Sequence, residues 1–131
     1  MTAKTPPPPR PTDAELEILT VLWSRGPSTV RELHEVLSQR KPTQYTTVLK
    51  FMQIMADKGL VRRDEKNRAH IYEASRPREW TQRQLAGDLL ERGFAGSAKS
   101  LLVGALSARK ASAKELVELR KFLDDYEKGI K

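Results

Sequence analysis

Hydrophobic residues recur every three or four positions in three successive segments near the start of the chain. This spacing places the apolar side chains on one face of an α-helix. Thr12 and Thr29 each stand three residues before a glutamate, which is the capping-box pattern of a helix start. We predict helices over about 12–25, 29–40 and from 43 or 44 to 58. The expected core residues are Leu16, Leu19, Trp23, Ile18 and Leu22 in the first helix, Val30, Leu33 and Leu37 in the second, and Val48, Met52, Met55 and Phe51 in the third.

The hydrophobic period changes after Gly59. Residues 60–63 are β-capable, residues 64–68 form a polar turn, and residues 69–73 alternate as a strand does. We interpret these pieces as one hairpin with a basic tip. Three short helices followed by such a hairpin are the order of a winged helix-turn-helix, so the predicted fold class is mainly α with a small β-hairpin.

The chain beyond Ser75 is predicted to be helical again. One helix starts near 77 or 78 and ends at the break from Gly93 to Gly96, and a shorter one carries Leu101, Leu102, Ala105 and Leu106. The last helix opens with a capping box at Ser112. Its apolar residues are spaced by 3, 4, 3 and 4 positions, as in the a/d seam of a coiled coil. They are Leu116, Leu119, Leu123, Tyr126 and Ile130.

These C-terminal apolar faces need a partner. A helix packed on its own domain is one interpretation, because a seam of two heptads is too short to hold a coiled coil unaided. The last 55 residues are, however, too few to bury all of their leucines. We therefore expect an α-helical dimerisation region after the winged helix, and a homodimer. The residues predicted to hold it are Leu89, Leu102, Leu116, Leu119, Leu123 and Tyr126.

Charge and composition narrow the class of partner. The 131 residues include 24 lysines and arginines against 17 acidic residues, a formal net charge of +7, and residues 40–76 alone carry +5. This excess over the third helix and the hairpin fits a polyanion, although a solvated charged face would give the same count. The absence of cysteine excludes disulfides and thiolate metal sites, and no apolar run approaches a membrane span. No signal peptide is recognised, so we expect a cytoplasmic location.

The predicted third helix has a polar face suited to DNA. Thr46, Lys50 and Gln53 stand at positions i, i+4 and i+7, so they share one side of the helix. Hydroxyl, ammonium and amide groups can bond phosphates and base edges. No acidic residue occurs from Gln44 to Ala56, which suits a surface that meets a polyanion.

Two segments carry a family likeness: TDAELEILTVLWSRGPSTVRELHEVL and YTTVLKFMQIMADKGLVRRDEKNRAHIYEA. They resemble the BlaI/MecI/CopY family of bacterial transcriptional repressors, and the resemblance extends over about residues 12–128. It implies a dimeric winged-helix repressor that controls β-lactamase and related resistance genes, or copper efflux. In this family the third helix enters the major groove, and the C-terminal helices interlock between subunits.

Carried onto this chain, the resemblance implies contacts with double-stranded, palindromic operator DNA. Thr46, Thr47 and Lys50 become the base-contacting candidates, and the wing is placed near the backbone or minor groove. The residues predicted on the recognition helix are Gln44, Tyr45, Thr46, Thr47, Lys50 and Gln53. Those predicted on the wing and for backbone contacts are Arg40, Lys41, Arg63, Lys66, Asn67 and Arg68.

The resemblance also suggests how repression is relieved. In the penicillinase branch a membrane-bound sensor protease triggers cleavage in the C-terminal region, often at an Asn-Phe pair. Gly104-Ala105 falls at that place here. The copper branch senses metal through C-terminal cysteines, which this chain lacks. We expect relief by loss of the C-terminal dimer region, with a sensor protease acting directly or indirectly.

Three regions are predicted along the chain. Residues 1–11 hold five of the eight prolines and form a disordered tail, interpreted as passive rather than as a proline-rich ligand. Residues 12–76 form the winged-helix DNA-binding domain, and residues 77–131 form the helical dimerisation domain.

The same residues bear on other classes of function. An enzyme, a cofactor and a metal site are not expected, because the chain has two histidines, no cysteine, no Gly-rich phosphate loop and no metal-ligand spacing. The alternative function is a winged-helix module that binds another protein without sequence-specific DNA binding. The salt dependence of duplex binding separates the two, since counterion release makes DNA binding weaken strongly with salt.

Overall fold

The computed structural model describes residues 10–66 and 68–129. Within these ranges the chain is mainly helical with a small sheet, which confirms the predicted fold class. In chain order the elements are α1 (Asp13–Arg25), β1 (Ser28–Thr29), α2 (Val30–Arg40), α3 (Tyr45–Asp57), β2 (Val61–Asp64), β3 (Ile71–Ala74), α4 (Arg78–Gly93), α5 (Ala98–Ala108) and α6 (Ala113–Glu127). Asn67, Ile130 and most of the predicted tail lie outside the described residues.

The described chain forms two compact units. One extends to Leu85 and the other starts at Ala86, so the division falls within α4. The domain boundary predicted at residues 76 and 77 stays a prediction. Within the described residues no helix has the length and apolar character needed to span a membrane.

Capping boxes fix two of the predicted helix starts. At Thr12 the hydroxyl accepts from the N–H of Glu15 at 3.2 Å, and the Glu15 carboxylate accepts from the N–H of Thr12 at 2.9 Å. Thr29 exchanges the same two bonds with the glutamate three positions later. At α6 the hydroxyl of Ser112 accepts from the N–H of Glu115 at 3.1 Å, which is one of the two bonds of the predicted capping box. These bonds satisfy donors that have no partner inside the helix.

The core of the first unit is formed by α1, α2, α3 and the sheet. The core residues predicted in α2 and α3 are buried, with Phe51 packed partly against them. In α1 the prediction is wrong in part: Leu16 and Trp23 are only half-buried, whereas Val21 is buried. Trp23 stays at the rim because its indole N–H donates to the carbonyl of Arg76 at 3.0 Å.

The sheet has three antiparallel strands in the order β1-β3-β2, one more than the predicted hairpin. β2 pairs with β3 as predicted, and Val61 lies opposite Ala74. β1 pairs with the other edge of β3, with Ser28 opposite Tyr72. Two residues are too few to show alternation, so the sequence pattern did not indicate β1. β3 begins at Ile71 rather than at residue 69, because the last residue of β2 lies opposite Ile71.

The second unit contains helices where the sequence predicts them, but none of its described residues is buried. Leu116 and Leu119 of α6 are half-buried. Phe122 stacks on Tyr126 with ring centroids 6.0 Å apart. The exposed large apolar residues of this unit are Leu89, Leu102, Val103, Leu106, Val117, Phe122, Leu123 and Tyr126.

Candidate nucleic-acid interface

The third helix, α3, has two opposite sides. One side is the predicted core side, which is buried. Thr46, Lys50 and Gln53 are all exposed, and the rotation of about 100° per residue places them on the opposite side. The first acidic residue of the helix is Asp57, its last residue, on this same side. Three full turns of α3 therefore present a polar surface without negative charge.

The other residues predicted on the recognition helix flank this polar surface. Gln44 is the N-cap of α3 and its side chain makes no capping bond. Tyr45 begins the helix and is 46% exposed, and Thr47 is exposed in the same turn. All six predicted side chains are thus accessible to a partner.

The connection from β2 to β3 is the wing. The carboxylate of Asp64 accepts from the backbone N–H of Lys66 at 2.9 Å, which tightens the turn. Lys66 and Arg68 are exposed, and within residues 10–66 and 68–129 their side chains form no ion pair. Both cations therefore remain available to a phosphate. Asn67, predicted between them as a DNA contact, lies outside the described residues.

Arg63 differs from the two cations at the tip. Its guanidinium lies 3.1 Å from the Glu65 carboxylate. The hydrogen bond with Tyr72, followed by the charge of Glu65, raises the pKa of Arg63 above its ordinary value. Arg63 thus stays charged but is already engaged by the protein.

Arg40 and Lys41 are exposed where α2 ends and the turn to α3 begins. The turn that they start leads directly into the N-cap of α3. Their cations are therefore accessible beside the first turn of the recognition helix.

A surface hollow of about 560 Å³ lies between the start of α2, α3 and the wing. Arg31 and His70 line it beside Tyr45 and Arg68, and neither was predicted as a site residue. The pairing of β1 with β3 brings the start of α2 beside the wing. Because β1 was not predicted, the position of Arg31 near Arg68 could not be expected from the sequence.

The residues predicted for dimerisation and cleavage lie in the second unit. Leu89, Leu102, Leu123 and Tyr126 are exposed there, and Tyr126 is 67% exposed. Gly104 and Ala105 lie within α5. A Cβ added at Gly104 would lie 3.2 Å from the ring of Phe94, so the glycine allows a close approach of this ring.

Among the described residues, no group of three or more histidine, aspartate and glutamate side chains could hold a metal ion. In the same part of the chain, every buried side-chain nitrogen and oxygen has a hydrogen-bond partner.

Comparison with known proteins gives three similarities. The model of the penicillinase repressor family matches residues 11–125. The transcriptional regulator BlaI of Mycobacterium tuberculosis, from strains CDC 1551 and H37Rv, is 36% identical over 119 residues, which are 89% of this chain and 85% of the relative. The solution structure of the DNA-binding domain of the repressor BlaI has a similar fold, with a TM-score of 0.50 and 22% identity, over 56% of this chain and 90% of that domain.

Proposed function

The chain belongs to the penicillinase repressor family and is a DNA-binding transcriptional repressor; we propose that it binds a palindromic operator as a homodimer. We further propose that it controls β-lactamase-type resistance or stress genes from the cytoplasm. The observation that carries the DNA-binding role is the exposed side of α3, opposite its buried core side, which has no acidic residue before Asp57 at the end of the helix. Such a side can approach base edges in the major groove without repelling the phosphates.

The proposed contacts divide by position. Thr46 and Lys50 lie on the exposed side of α3 within its first two turns, which supports contacts with base edges. Lys66 and Arg68 lie at the wing, and their cations are accessible and form no ion pair within residues 10–66 and 68–129, which supports contacts with phosphates. Base contacts would set the operator sequence, and phosphate contacts would supply affinity for any duplex.

The proposed homodimer rests on the second unit. Among its described residues, eight large apolar side chains are exposed in the single chain, and Leu123 is 52% exposed. Leu119 and Leu123 lie on one side of α6 together with Leu116 and Tyr126, at the spacing of a coiled-coil seam. A second copy would remove this apolar surface from water, which is the main favourable term in most protein association.

The proposed relief of repression follows from the dimer. Two half-site contacts on one operator give avidity, so separating the subunits releases DNA without any change at α3. Cleavage at Gly104-Ala105, triggered directly or indirectly by a membrane-bound sensor protease, would detach α6. Both residues lie within a regular helix, so α5 would have to unwind locally before a protease could bind it.

Footprinting on the promoter of its own gene, followed by duplex titration at two salt concentrations, tests the proposal. A protected palindrome, with affinity that falls steeply as salt rises, is the expected result. A protein-interaction module would give no footprint and a shallow salt dependence.

A further inference from the structure

The start of the recognition helix α3 is held by α2 rather than by its own cap. Gln44, the N-cap, makes no side-chain capping bond. One residue earlier, the carbonyl oxygen of Thr43 lies 2.7 Å from Nε2 of His34 and 3.3 Å from Oγ of Ser38. His34 and Ser38 are four residues apart in α2, so they stand on one face of that helix. A carbonyl oxygen can only accept, so both side chains donate to it.

His34 also contacts the first residue of α3. Its ring meets the ring of Tyr45 edge to face, with centroids 5.7 Å apart and planes at 75°. The hydroxyl of Thr43 donates to the carbonyl of Lys41 at 2.8 Å, which closes the turn between the helices. The imidazole of His34 therefore contacts the chain on both sides of the N-cap.

We infer that His34 and Ser38 are positioning residues for DNA recognition, because they fix the turn from which Tyr45, Thr46 and Thr47 project. The inference rests on the proposed function of α3. Hydrogen bonds to base edges require accurate placement, whereas attraction to phosphates acts over longer distances and tolerates small displacements. Loss of the His34 bond should therefore lower sequence discrimination more than general affinity for DNA.

Variants of the full chain test this role. His34→Phe keeps a ring beside Tyr45 and removes the donor, whereas His34→Gln keeps an N–H donor. Gln39→Ala is the matched control, because Gln39 is exposed on the same helix. The probes are a duplex enriched from a random pool by the unmodified protein and a scrambled duplex of the same base composition.

The expected result is a change in the ratio of the affinity for the enriched duplex to the affinity for the scrambled duplex. His34→Phe should lower this ratio about tenfold, within the range for the loss of one base contact, while affinity for the scrambled duplex stays within about twofold. His34→Gln should recover most of the ratio. Gln39→Ala should leave both affinities unchanged.

Amide hydrogen exchange of the DNA-free protein gives a second readout. The N–H groups of Thr47 and Val48 bond to the carbonyl of Gln44, at 3.1 and 3.3 Å. Both should exchange faster in His34→Phe, and faster by a smaller factor in Ser38→Ala, while amides of α1 keep their rates. Ser38→Ala loses only a hydroxyl, so it carries the test if the His34 variant does not fold.

The outcomes separate this inference from the function on which it rests. An unmodified protein that enriches no duplex would overturn the proposed operator binding, and the recognition role of His34 with it. If the unmodified protein selects a duplex but the affinity ratio is unchanged in His34→Phe and Ser38→Ala, the inference alone is overturned. An equal loss on both duplexes, which is the mark of a merely structural role, also overturns it.

Discussion

Lys58 follows the last residue of α3 and donates to both carboxylate oxygens of Glu15, at 2.9 and 3.1 Å. The two residues are 43 positions apart in the chain. Glu15 is only 2% exposed. Burial by itself raises the pKa of this carboxyl, but the N–H of Thr12 and the ammonium of Lys58 outweigh it and hold the pKa below its ordinary value. Because Glu15 also completes the capping box of α1, one carboxylate ties the start of α1 to the end of the recognition helix.

Lys58→Met should destabilise the protein, because it leaves a buried carboxylate without its cation. We expect a loss of about 1–3 kcal/mol in the free energy of unfolding, less than for a fully buried pair because Lys58 is partly exposed. Urea denaturation at pH 7 measures the change. Lys66→Met, at an exposed lysine of the wing, is the control. Equal stability of the two variants would contradict a role of the pair.

The same carboxylate should make stability depend on pH. Its pKa is lower in the folded protein than in the unfolded chain, so its contribution is complete above about pH 4.5 and is lost as pH falls through the folded value. Urea denaturation between about pH 6 and 3 should show a steeper loss in the unmodified protein than in Glu15→Gln. Glu32, whose pKa is lowered by the N–H of Thr29, is common to both proteins and cancels in the comparison. Parallel curves would disprove the linkage.

Features that depend on neighbouring residues in the chain could be predicted from the sequence. The capping boxes at Thr12 and Thr29 involve residues three positions apart, and the buried stripes of α2 and α3 follow from helical spacing. The ion pair of Glu15 is different, because its partner Lys58 lies far along the chain. Strand β1 is different for the same reason, since two residues form a strand only when β3 lies beside them.

The candidate interface shows the same division. The exposed side of α3 could be predicted, because spacing alone places Thr46 and Lys50 opposite the core. The position of Arg31 beside the wing could not, because it follows from the pairing of β1 with β3. The bond from His34 to the carbonyl of Thr43 also escaped prediction, since the path of the turn decides which backbone atom the imidazole meets.

Lys50→Ala and Arg68→Ala should have different effects on DNA binding. Loss of a base contact at Lys50 should cost on the order of 1–3 kcal/mol on the operator and reduce discrimination between sites. Loss of a phosphate contact at Arg68 should weaken all duplexes about equally and reduce the salt slope by about one. Titrations of operator and random duplexes at several salt concentrations measure both. An unchanged ratio of specific to random affinity in Lys50→Ala would refute the assignment.

Leu123→Asp should prevent dimer formation, because it would place an unpaired carboxylate in the apolar seam at a cost of several kcal/mol. Sedimentation at micromolar concentration should show a dimer for the unmodified chain and a monomer for the variant. Val117→Asp is the matched control: Val117 is also apolar and exposed, but it lies on another side of α6. An unmodified chain that sediments as a monomer would rule out the proposed assembly.

Residues 1–104 alone should bind a full palindrome much more weakly than the intact protein at equal salt. This fragment keeps α3 and the wing but lacks α6, so it loses the seam and with it the avidity of two linked half-site contacts. We expect a monomer with an affinity lower by roughly 100-fold or more, measured by titration of the palindromic duplex. A single half-site is the control, because one winged helix should bind it equally well in either protein. Equal weakening on the half-site would point to a damaged DNA-binding unit, whereas full affinity for the palindrome would show that dimerisation does not control repression.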